Sequence, residues 1–465
     1  GCCGTVLHRL DQDVAKLVES ALQDTRFDGP ADLPSPEAIA VTVALLHDRV
    51  ELGLHSVDDI VRRIRYGQHA LMVEQGDCFA VYLPSVASRY NLGPVAFVEE
   101  LLRKADISEP PYRWTRFECT TWLSDQAGER LVEGSFSRDT PPAELSELLA
   151  RLLPLGACYL KRHQRPDGSF FTRYEPLQDQ LYHGIDLPRL AHAAWMLARL
   201  SRDGDAEAGS AALRTTRLLL GFAEDAEAGP WLVHCGWDRS VAEIAFTVLA
   251  LCELPEALLR ERWVPRLTAT LWSLIDAHGH FHTHADEAAA SDAYQDYFPG
   301  QVLLALAEAV RAGLTINDEA KLARAFRYYR HRFRHLPRFG QVSWLAQACK
   351  AWWRVSPDAR YTDLAFEIAD WIISFQQRKS GAFLNDHQSD TPGYTTALYL
   401  EGIGAAAWLA QTSGKAELHR HYLASCQRGL QFLDGLIIQP RDASLLPDPA
   451  MANGGLRRSV LASEV

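Results

Sequence analysis

The stretch QRPDGSFFTRYEPLQDQLYHGI, residues Gln164–Ile185, is the first of six long loops that decide the fold. These loops are rich in Gly, His, aromatic and acidic residues, and the other five are Asp225–Asp238, His278–Pro299, Arg332–Gly340, Arg378–Gly393 and Ile437–Leu456. Short connections such as Ala312–Asp318 alternate with them. Strict alternation in a stack of helices places every long loop at one end, and chemistry usually occurs on loops that a rigid scaffold holds. The sequence therefore predicts a single functional face.

One glycine marks each long loop: Gly168, Gly229, Gly279, Gly340, Gly381 and Gly454. Their mean separation is about 57 residues, enough for two helices and their connections. This period is typical of an array of helical hairpins. Six hairpins predict an all-α (α/α)6 toroid over residues 143–465, with an open solenoid as the alternative. Eleven of its helices can be identified, and a twelfth is predicted to begin near Arg457.

The second helix of each hairpin is often apolar on all sides. VAEIAFTVLALCEL, beginning at Val241, and YTTALYLEGIGAAAWLA, beginning at Tyr394, are examples. A helix that is apolar all round is buried all round, so these segments are predicted to form the inner ring. Gly402 and Gly404 are predicted to allow close helix approach.

Composition restricts the class of protein. The 465-residue chain is 47% hydrophobic and carries a net charge of −12. This charge argues against nucleic acid or an anionic membrane as a partner, and no apolar run is long enough to span a bilayer. Nine cysteines without a CxxC pair predict reduced core residues of a cytoplasmic protein and no cysteine zinc site.

Residues 1–135 differ in pattern and predict an α+β domain. GCCG (Gly1–Gly4), ALQDTRF (Ala21–Phe27), DLP (Asp32–Pro34), YLPSVA (Tyr82–Ala87) and FVEELLRKADI (Phe97–Ile107) follow one another in it. These motifs resemble the AMMECR-type domain. Gly1, Cys2 and Gly4 match the end of that family's Leu-Arg-Gly-Cys-Ile-Gly stretch, and Cys3 replaces its Ile. The resemblance implies a domain that is truncated at its start, and it implies a fold more than a reaction.

Cys2 is the candidate nucleophile of this domain, because a thiolate beside flexible Gly backbone can be activated. A small buried residue at a point of close packing is the alternative, since no paired His is identifiable. A protein partner that binds through this domain is the remaining expectation for residues 1–135.

The long loops carry the acids and aromatic residues that a sugar site needs. Aromatic faces stack on pyranose C–H groups, and two carboxyl groups supply the acid and the base. The predicted catalytic acids are Asp186, Asp238, Asp292, Asp296 and Asp386. The predicted substrate-binding residues are Tyr182, His183, Trp237, Tyr294, Tyr394 and His387.

Several of these residues also have a structural interpretation. Asp186 and Asp238 each precede a helix and suit an N-cap. Glu243 is predicted to be a buried acid with a raised pKa or, equally, an acid at the rim that a helix end satisfies. His192, on an apolar face near Trp195, is predicted to be a hydrogen-bonded core histidine.

Alternating histidines occupy the third long loop, in HGHFHTHAD. In an extended segment His280, His282 and His284 share one face with His278, so a divalent metal site is one hypothesis. Solvated histidines in a polar loop are the alternative, and no cofactor is otherwise predicted.

The predicted toroid resembles the six-hairpin glycosidases and the sugar epimerases. The resemblance implies a carbohydrate-active protein with a small-molecule or oligosaccharide substrate, acting as a glycoside hydrolase or a sugar epimerase. A close carboxyl pair would indicate hydrolysis, whereas a central His without one would favour epimerisation. The alternatives are a non-enzymatic scaffold that presents the AMMECR-type domain and a metal-dependent modifying enzyme that uses the histidine loop.

Overall fold

The structure is a computed structural model, and it describes residues 16, 41–53, 56–64, 69–86, 92, 94–125, 128–131, 143–176, 179–234, 239–286, 291–378, 380–383, 392–443, 446–459 and 465. They form a mixed α+β part followed by a helical part. Among these residues, no helix combines the length and the apolar character that crossing a membrane requires.

The described residues of the first part form an antiparallel sheet with two helices of seven or more residues. Its elements are β1 (Val41–Gly53), α1 (Val57–Arg63), β2 (His69–Gln75), β3 (Cys78–Tyr82), α2 (Pro94–Lys104), β4 (Arg113–Asp125) and β5 (Gly128–Leu131). The strand order is β1-β4-β2-β3, and β5 pairs with β4. Helix α2 buries Phe97, Val98 and Leu101, which follow the spacing of one helix face. The predicted α+β class of this part is confirmed.

Eleven long helices are described in the second part. They are α3 (Leu145–Arg162), α4 (Leu187–Arg202), α5 (Ala206–Leu220), α6 (Val241–Glu253), α7 (Ala257–Ser273), α8 (Phe298–Arg311), α9 (Glu319–His335), α10 (Gly340–Val355), α11 (Ala359–Ile373), α12 (Thr395–Thr412) and α13 (Ala416–Leu436). The short hairpin β6–β7 (Arg173–Glu175, Gln180–Tyr182) lies in the first long loop, and β8–β9 (Ala223–Glu224, Trp231–Leu232) begins just before the second. Two short helices, α14 (Pro440–Ala443) and α15 (Pro449–Ala452), follow α13.

The even-numbered helices α4 to α12 form an inner ring in which each contacts the next. In α6, every residue from Val241 to Leu251 is buried, as its apolar sequence predicts. Gly402 of α12 permits the predicted close approach, because a Cβ there would lie 2.6 Å from the carbonyl oxygen of Val342 on α10. Gly404 has no atom within 4 Å of such a Cβ, so the prediction for this second glycine is wrong.

Five of the six marker glycines hold their long loop against an outer helix, whereas Gly340 packs on the ring of Tyr297. Gly168 packs on α5, Gly229 on α7, Gly279 on α9, Gly381 on α13 and Gly454 on α3. The last of these contacts returns to the first helix of the array. A Cβ on Gly454 would lie 2.5 Å from the carbonyl oxygen of Leu155, and its φ of +85° is in the left-handed region, which only glycine adopts freely.

Helices α3 and α13 also join the two ends of the array. The backbone N–H of Ala143 donates to Oε1 of Gln431, and Gln427 donates to the carbonyl oxygen of Ala143. The ring of hairpins is therefore a closed (α/α)6 toroid, and the open solenoid is excluded.

The prediction of a twelfth helix near Arg457 is wrong for the residues described there. Leu456 forms a β-bridge with Ile437, and Ser459 forms one with Gly393. These pairings hold the segment in an extended conformation, in which its backbone bonds to neighbouring loops instead of to itself.

Candidate functional site

The inner helices all begin after long loops, at Leu187, Val241, Phe298, Gly340 and Thr395. Successive helices of a hairpin array run in opposite directions, so these five N-termini lie at one face of the toroid. The long loops surround the entrance to the ring at that face, as their alternation with short loops predicts.

Four aromatic rings from three inner helices meet inside the toroid. They belong to His192 and Trp195 of α4, Phe246 of α6 and Trp344 of α10, and we call them the axial cluster. The centroid of His192 lies 4.8 Å from that of Phe246 and 5.5 Å from that of Trp344. Helices α6 and α8 separate α4 from α10 in the ring, so the contact between His192 and Trp344 crosses its interior.

His192 is neutral and has a free nitrogen. Its Nε2 atom is buried and has no hydrogen-bond partner, so the expectation of a hydrogen-bonded core histidine does not hold for this atom. Burial lowers the pKa of His192 to about 4, and the positive charge of Arg199 acts in the same direction. At neutral pH the side chain is therefore an uncharged imidazole that can accept or transfer a proton.

Glu401 of α12 adds a carboxyl group to the inner helices. It accepts hydrogen bonds from Oγ of Ser343 at 2.9 Å and Nε2 of Gln347 at 3.0 Å, both on α10. Burial raises the pKa of Glu401, while the bond from Ser343 and the charge of Arg199 oppose the shift. Arg199 thus acts electrostatically on both Glu401 and His192.

Sequence reasoning did not select Glu401 or Arg199, because it searched the loops. A signal was present for Glu401, which is the only charged residue in the apolar segment Tyr394–Ala410. A lone acid in a helix that is buried all round requires a partner or a function.

Asp186 and Glu243 have capping roles. Asp186 is the N-cap of α4, accepting from the N–H of Arg189 at 3.1 Å, and its carboxylate also pairs with the Arg189 guanidinium. Glu243 forms a capping box with Ser240 at the start of α6. Burial raises the pKa of Glu243 to about 7 despite the bonds from Ser240, and the charge of Asp186 adds to the shift. Glu243 is 1% exposed, so the prediction of a buried acid with a raised pKa holds and the rim position does not, although the start of α6 does satisfy its carboxyl group.

Tyr182 and His183 lie in the first long loop, on the approach to α4. The guanidinium of Arg173 covers the ring of Tyr182 at 3.8 Å, and the Tyr182 hydroxyl donates to Gln180. His183 is exposed, with its ring edge-on to Phe171. The ring of Tyr182 is thus already stacked on a cation, and its function as a sugar platform stays a prediction.

Asp292 and Asp296 share one arginine. Nη2 of Arg332 lies 3.0 Å from Oδ2 of Asp292 and 3.1 Å from Oδ1 of Asp296. The pairing with Arg332 lowers the pKa of Asp292, whereas burial raises that of Asp296 against the effect of the same arginine. The two acids stay catalytic candidates, but this arrangement favours a structural role.

Tyr294 and Tyr394 both belong to the face of the toroid that the long loops surround. The ring of Tyr294 stacks on Phe298, with centroids 5.0 Å apart, and contacts His284. Tyr394 is 41% exposed, and its backbone N–H donates to the carbonyl oxygen of Arg458. Of the two, Tyr394 has the more accessible ring.

The histidines of the third loop do not share one environment. His278 and His282 are exposed, His280 is half-buried and His284 is buried. The ring of His284 bonds to the hydroxyl of Thr283, and burial lowers the pKa of His280. Within the described ranges, no group of three or more His, Cys, Asp or Glu residues is placed to hold a metal ion.

Five predicted site residues lie outside the described residues. They are Cys2, Trp237, Asp238, Asp386 and His387. Their predicted roles stay predictions.

Comparison with known proteins agrees with this architecture. Residues 1–122 match the AMMECR1 family model. A Methanosarcina barkeri protein is 30% identical over 126 residues, which cover 26% of this chain and 60% of that protein. A Thermoplasma acidophilum protein is 24% identical over 117 residues, covering 25% of this chain and 56% of that protein. The chain thus spans less than two thirds of each relative, and the similarity to the AMMECR1 family lies in its N-terminal part.

The helical part resembles solved toroids. A crystal structure of D-mannose isomerase aligns over 70% of this chain and 96% of its own, with a TM-score of 0.51 and 15% sequence identity. At this identity the likeness shows the fold alone. The (α/α)6 fold predicted from the loop period is therefore confirmed, and it is a fold that carries sugar chemistry in that protein.

Proposed function

We propose that the toroid binds a sugar and moves a proton at the carbon next to its carbonyl group, as an isomerase or an epimerase. The observation that carries this proposal is the position of His192 inside the ring, with an unpartnered Nε2. The solved D-mannose isomerase of the same fold supports the choice of substrate class.

In the proposed reaction, neutral His192 takes the proton from the carbon beside the carbonyl. The electron pair of the broken C–H bond forms an enediol, and the carbonyl oxygen receives a proton from Glu401. Isomerisation is completed when His192 returns its proton to the neighbouring carbon and the Glu401 carboxylate takes the proton of the other enediol hydroxyl, whose oxygen becomes the new carbonyl. Epimerisation is completed when rotation presents the opposite face of the enediol to His192, which returns its proton to the same carbon while Glu401 takes back the proton it gave, so that the first carbonyl forms again. The rings of the axial cluster supply apolar surfaces for sugar C–H groups, and Arg199 stabilises negative charge on the enediol oxygens.

The acids of the described loops support proton transfer at carbon over glycoside hydrolysis. Hydrolysis requires two carboxyl groups on either side of the scissile bond. Asp186 and Glu243 cap helices, and Asp292 and Asp296 pair with Arg332. A central histidine apart from these acids is the arrangement that favours epimerisation or isomerisation.

Solvent exchange tests the proposal. The full chain is incubated in deuterated buffer with aldoses, ketoses and disaccharides, and deuterium at the carbon next to the carbonyl is followed by NMR. His192→Asn is compared with His421→Asn, which changes an exposed histidine on α13. We expect exchange in the native protein and the control, reduced at least about 100-fold by His192→Asn, the lower bound for loss of a general base. Exchange that survives His192→Asn, or no exchange from a folded protein with any sugar, contradicts the proposal.

A second candidate is sugar binding without turnover. It is favoured by the described loop acids, which cap helices or pair with Arg332 and so leave no free carboxyl pair among them for catalysis. A sugar that raises the melting temperature of the protein without deuterium exchange would select this function.

A further inference from the structure

A cavity of about 230 Å³ lies beside α4, outside the axial cluster. Its walls come from the end of α3, the first long loop and the α4 residues Leu190 and Ala193. The aromatic side chains of Tyr159, Phe171 and Tyr174 form part of the wall. None of the four axial rings lines it, so it is separate from the proposed sugar site.

His163 is the polar group of the cavity that lacks a partner. This side chain is only 5% exposed. Its Nδ1 lies 2.9 Å from the carbonyl oxygen of Tyr159, and because a carbonyl can only accept, Nδ1 carries the proton. Burial lowers the pKa of His163, so the ring is neutral at pH 7. Its Nε2 is then a lone-pair acceptor, and it is buried without any hydrogen-bond partner.

The hydroxyl groups of Ser169, Thr172 and Tyr174 in the cavity wall are already engaged. The hydroxyl of Ser169 donates to Asp167, and that of Thr172 donates to the carbonyl oxygen of Tyr182. The hydroxyl of Tyr174 donates to Asp179. The cavity wall therefore offers aromatic surface and, among its buried atoms, one unsatisfied acceptor.

These properties define the chemistry of an occupant. A cavity of roughly 150 Å³ holds benzene, so 230 Å³ accommodates one ring with a small substituent. A sugar would bring several hydroxyl groups to a wall whose buried atoms include one free acceptor, and each buried hydroxyl without a partner is costly. We propose that this cavity binds a compound with a single apolar ring and one hydroxyl or N–H group, which donates a hydrogen bond to Nε2 of His163.

The entrance is polar and accessible. Arg173 and Thr172 are exposed, and the Arg189 side chain is 73% exposed. Ser169 and Tyr174 are buried near His163. A small molecule therefore enters from solvent between charged groups and reaches an apolar interior, as in most small-molecule sites.

Phenol and toluene form a matched pair of probes, because they differ by a hydroxyl in place of a methyl group. Binding of each to the full chain is measured by ligand-observed NMR and calorimetry at pH 7.5. Toluene is the more hydrophobic, so preference for phenol requires a hydrogen bond. We expect phenol to bind about tenfold more tightly than toluene, the effect of satisfying one buried acceptor.

Two variants locate the site. His163→Phe keeps a planar ring and removes the acceptor, so we expect it to reverse the preference in favour of toluene. Ala193→Trp fills the cavity from α4 and is expected to abolish binding of both probes. Deuterium exchange into sugars is a separate readout, so failure of this proposal is distinguishable from failure of the proposed enzymatic activity.

Equal binding of phenol and toluene, or no binding of either, overturns the proposal. If phenol binds Ala193→Trp as tightly as the native protein, the phenol site lies elsewhere and the proposal is overturned. The comparison of the two probes on the native protein decides the outcome even if His163→Phe does not fold.

Discussion

The guanidinium of Arg151, on the first outer helix, holds the carboxylate of Asp434 on the last outer helix by two hydrogen bonds. Nε lies 3.0 Å from Oδ1, and Nη2 lies 2.7 Å from Oδ2. Asp434 is only 2% exposed. Residues separated by most of the helical part thus form one bidentate pair, which joins the ends of the array into a ring.

Breaking this pair is expected to destabilise the toroid. Arg151→Met leaves the buried Asp434 carboxylate with only the 3.1 Å hydrogen bond from Gln439 among the described residues, so we expect a loss of about 2 kcal/mol in the free energy of unfolding. Urea denaturation measures it. Arg311→Met, which removes a surface pair with Glu308, is the control and should cost less than about 0.5 kcal/mol. Equal effects of the two substitutions would show that ring closure does not depend on Arg151.

Gly454→Ala is expected to cost about 3 kcal/mol, because it combines a positive φ with a clash against the Leu155 carbonyl oxygen. Gly414→Ala has a similar φ of +73° but no atom within 4 Å of the new Cβ, so it should cost only about 1 kcal/mol. Thermal or urea unfolding of both variants isolates the contribution of the helix contact. Similar losses would refute the close approach of the last loop to α3.

Glu243 should make the toroid less stable as the pH rises. Its pKa is raised from 4.5 to about 7, so between these values the folded chain keeps a proton that the unfolded chain has released. Stability therefore falls with pH across this window, by at most about 3 kcal/mol. Glu243→Gln retains the acceptor for the Ser240 N–H and removes the titration. Relative to the native protein, this variant should gain stability from pH 4.5 to pH 7.5, and a constant difference would contradict the raised pKa.

The kcat/KM for sugar turnover should not fall as the pH decreases through 6.5, the usual pKa of histidine. Because burial and Arg199 lower the pKa of His192 to about 4, the base stays neutral down to mildly acidic pH. We expect kcat/KM to decline as the pH falls towards 4. A decline centred near pH 6.5 would show an exposed histidine acting as the base.

Single substitutions can distinguish the contributions of Asp292 and Asp296 to stability and to turnover. Asp296 is 13% exposed and Asp292 is 76% exposed, although both pair with Arg332. We expect Asp296→Asn to cost about 1–2 kcal/mol and Asp292→Asn less than about 0.5 kcal/mol, each with less than a tenfold change in turnover. Loss of turnover in either variant without loss of stability would restore that acid as a catalytic group.

The fold was predictable because its signals are local and repeated. The apolar segment at Val241 predicts a buried helix from a few consecutive residues. The capping Asp186 predicts where a helix begins. The marker glycines indicate where a long loop approaches the backbone of a neighbouring helix. Leu456–Ser459 was mispredicted because its extended conformation depends on bridges to Ile437 and Gly393, which are remote in sequence.

The candidate site was less predictable because it combines helices that are far apart in the chain. The sequence singled out loop acids such as Asp292, whose pairing with Arg332 depends on the placement of α9. His192 and Glu401 lie within apolar helices, where most residues only pack.

The sequence alone determined the class of the first part, the helical hairpins and the face at which the long loops gather, because periodicity, capping residues and glycines act over short distances. Tertiary structure decided that the ring closes through Arg151 and Asp434. It also decided that His192 meets Trp344 inside the ring and that His163 keeps a free nitrogen beside a cavity. These relationships join side chains from separate hairpins, and the desolvation and hydrogen bonding that set their chemistry exist only once the ring is assembled.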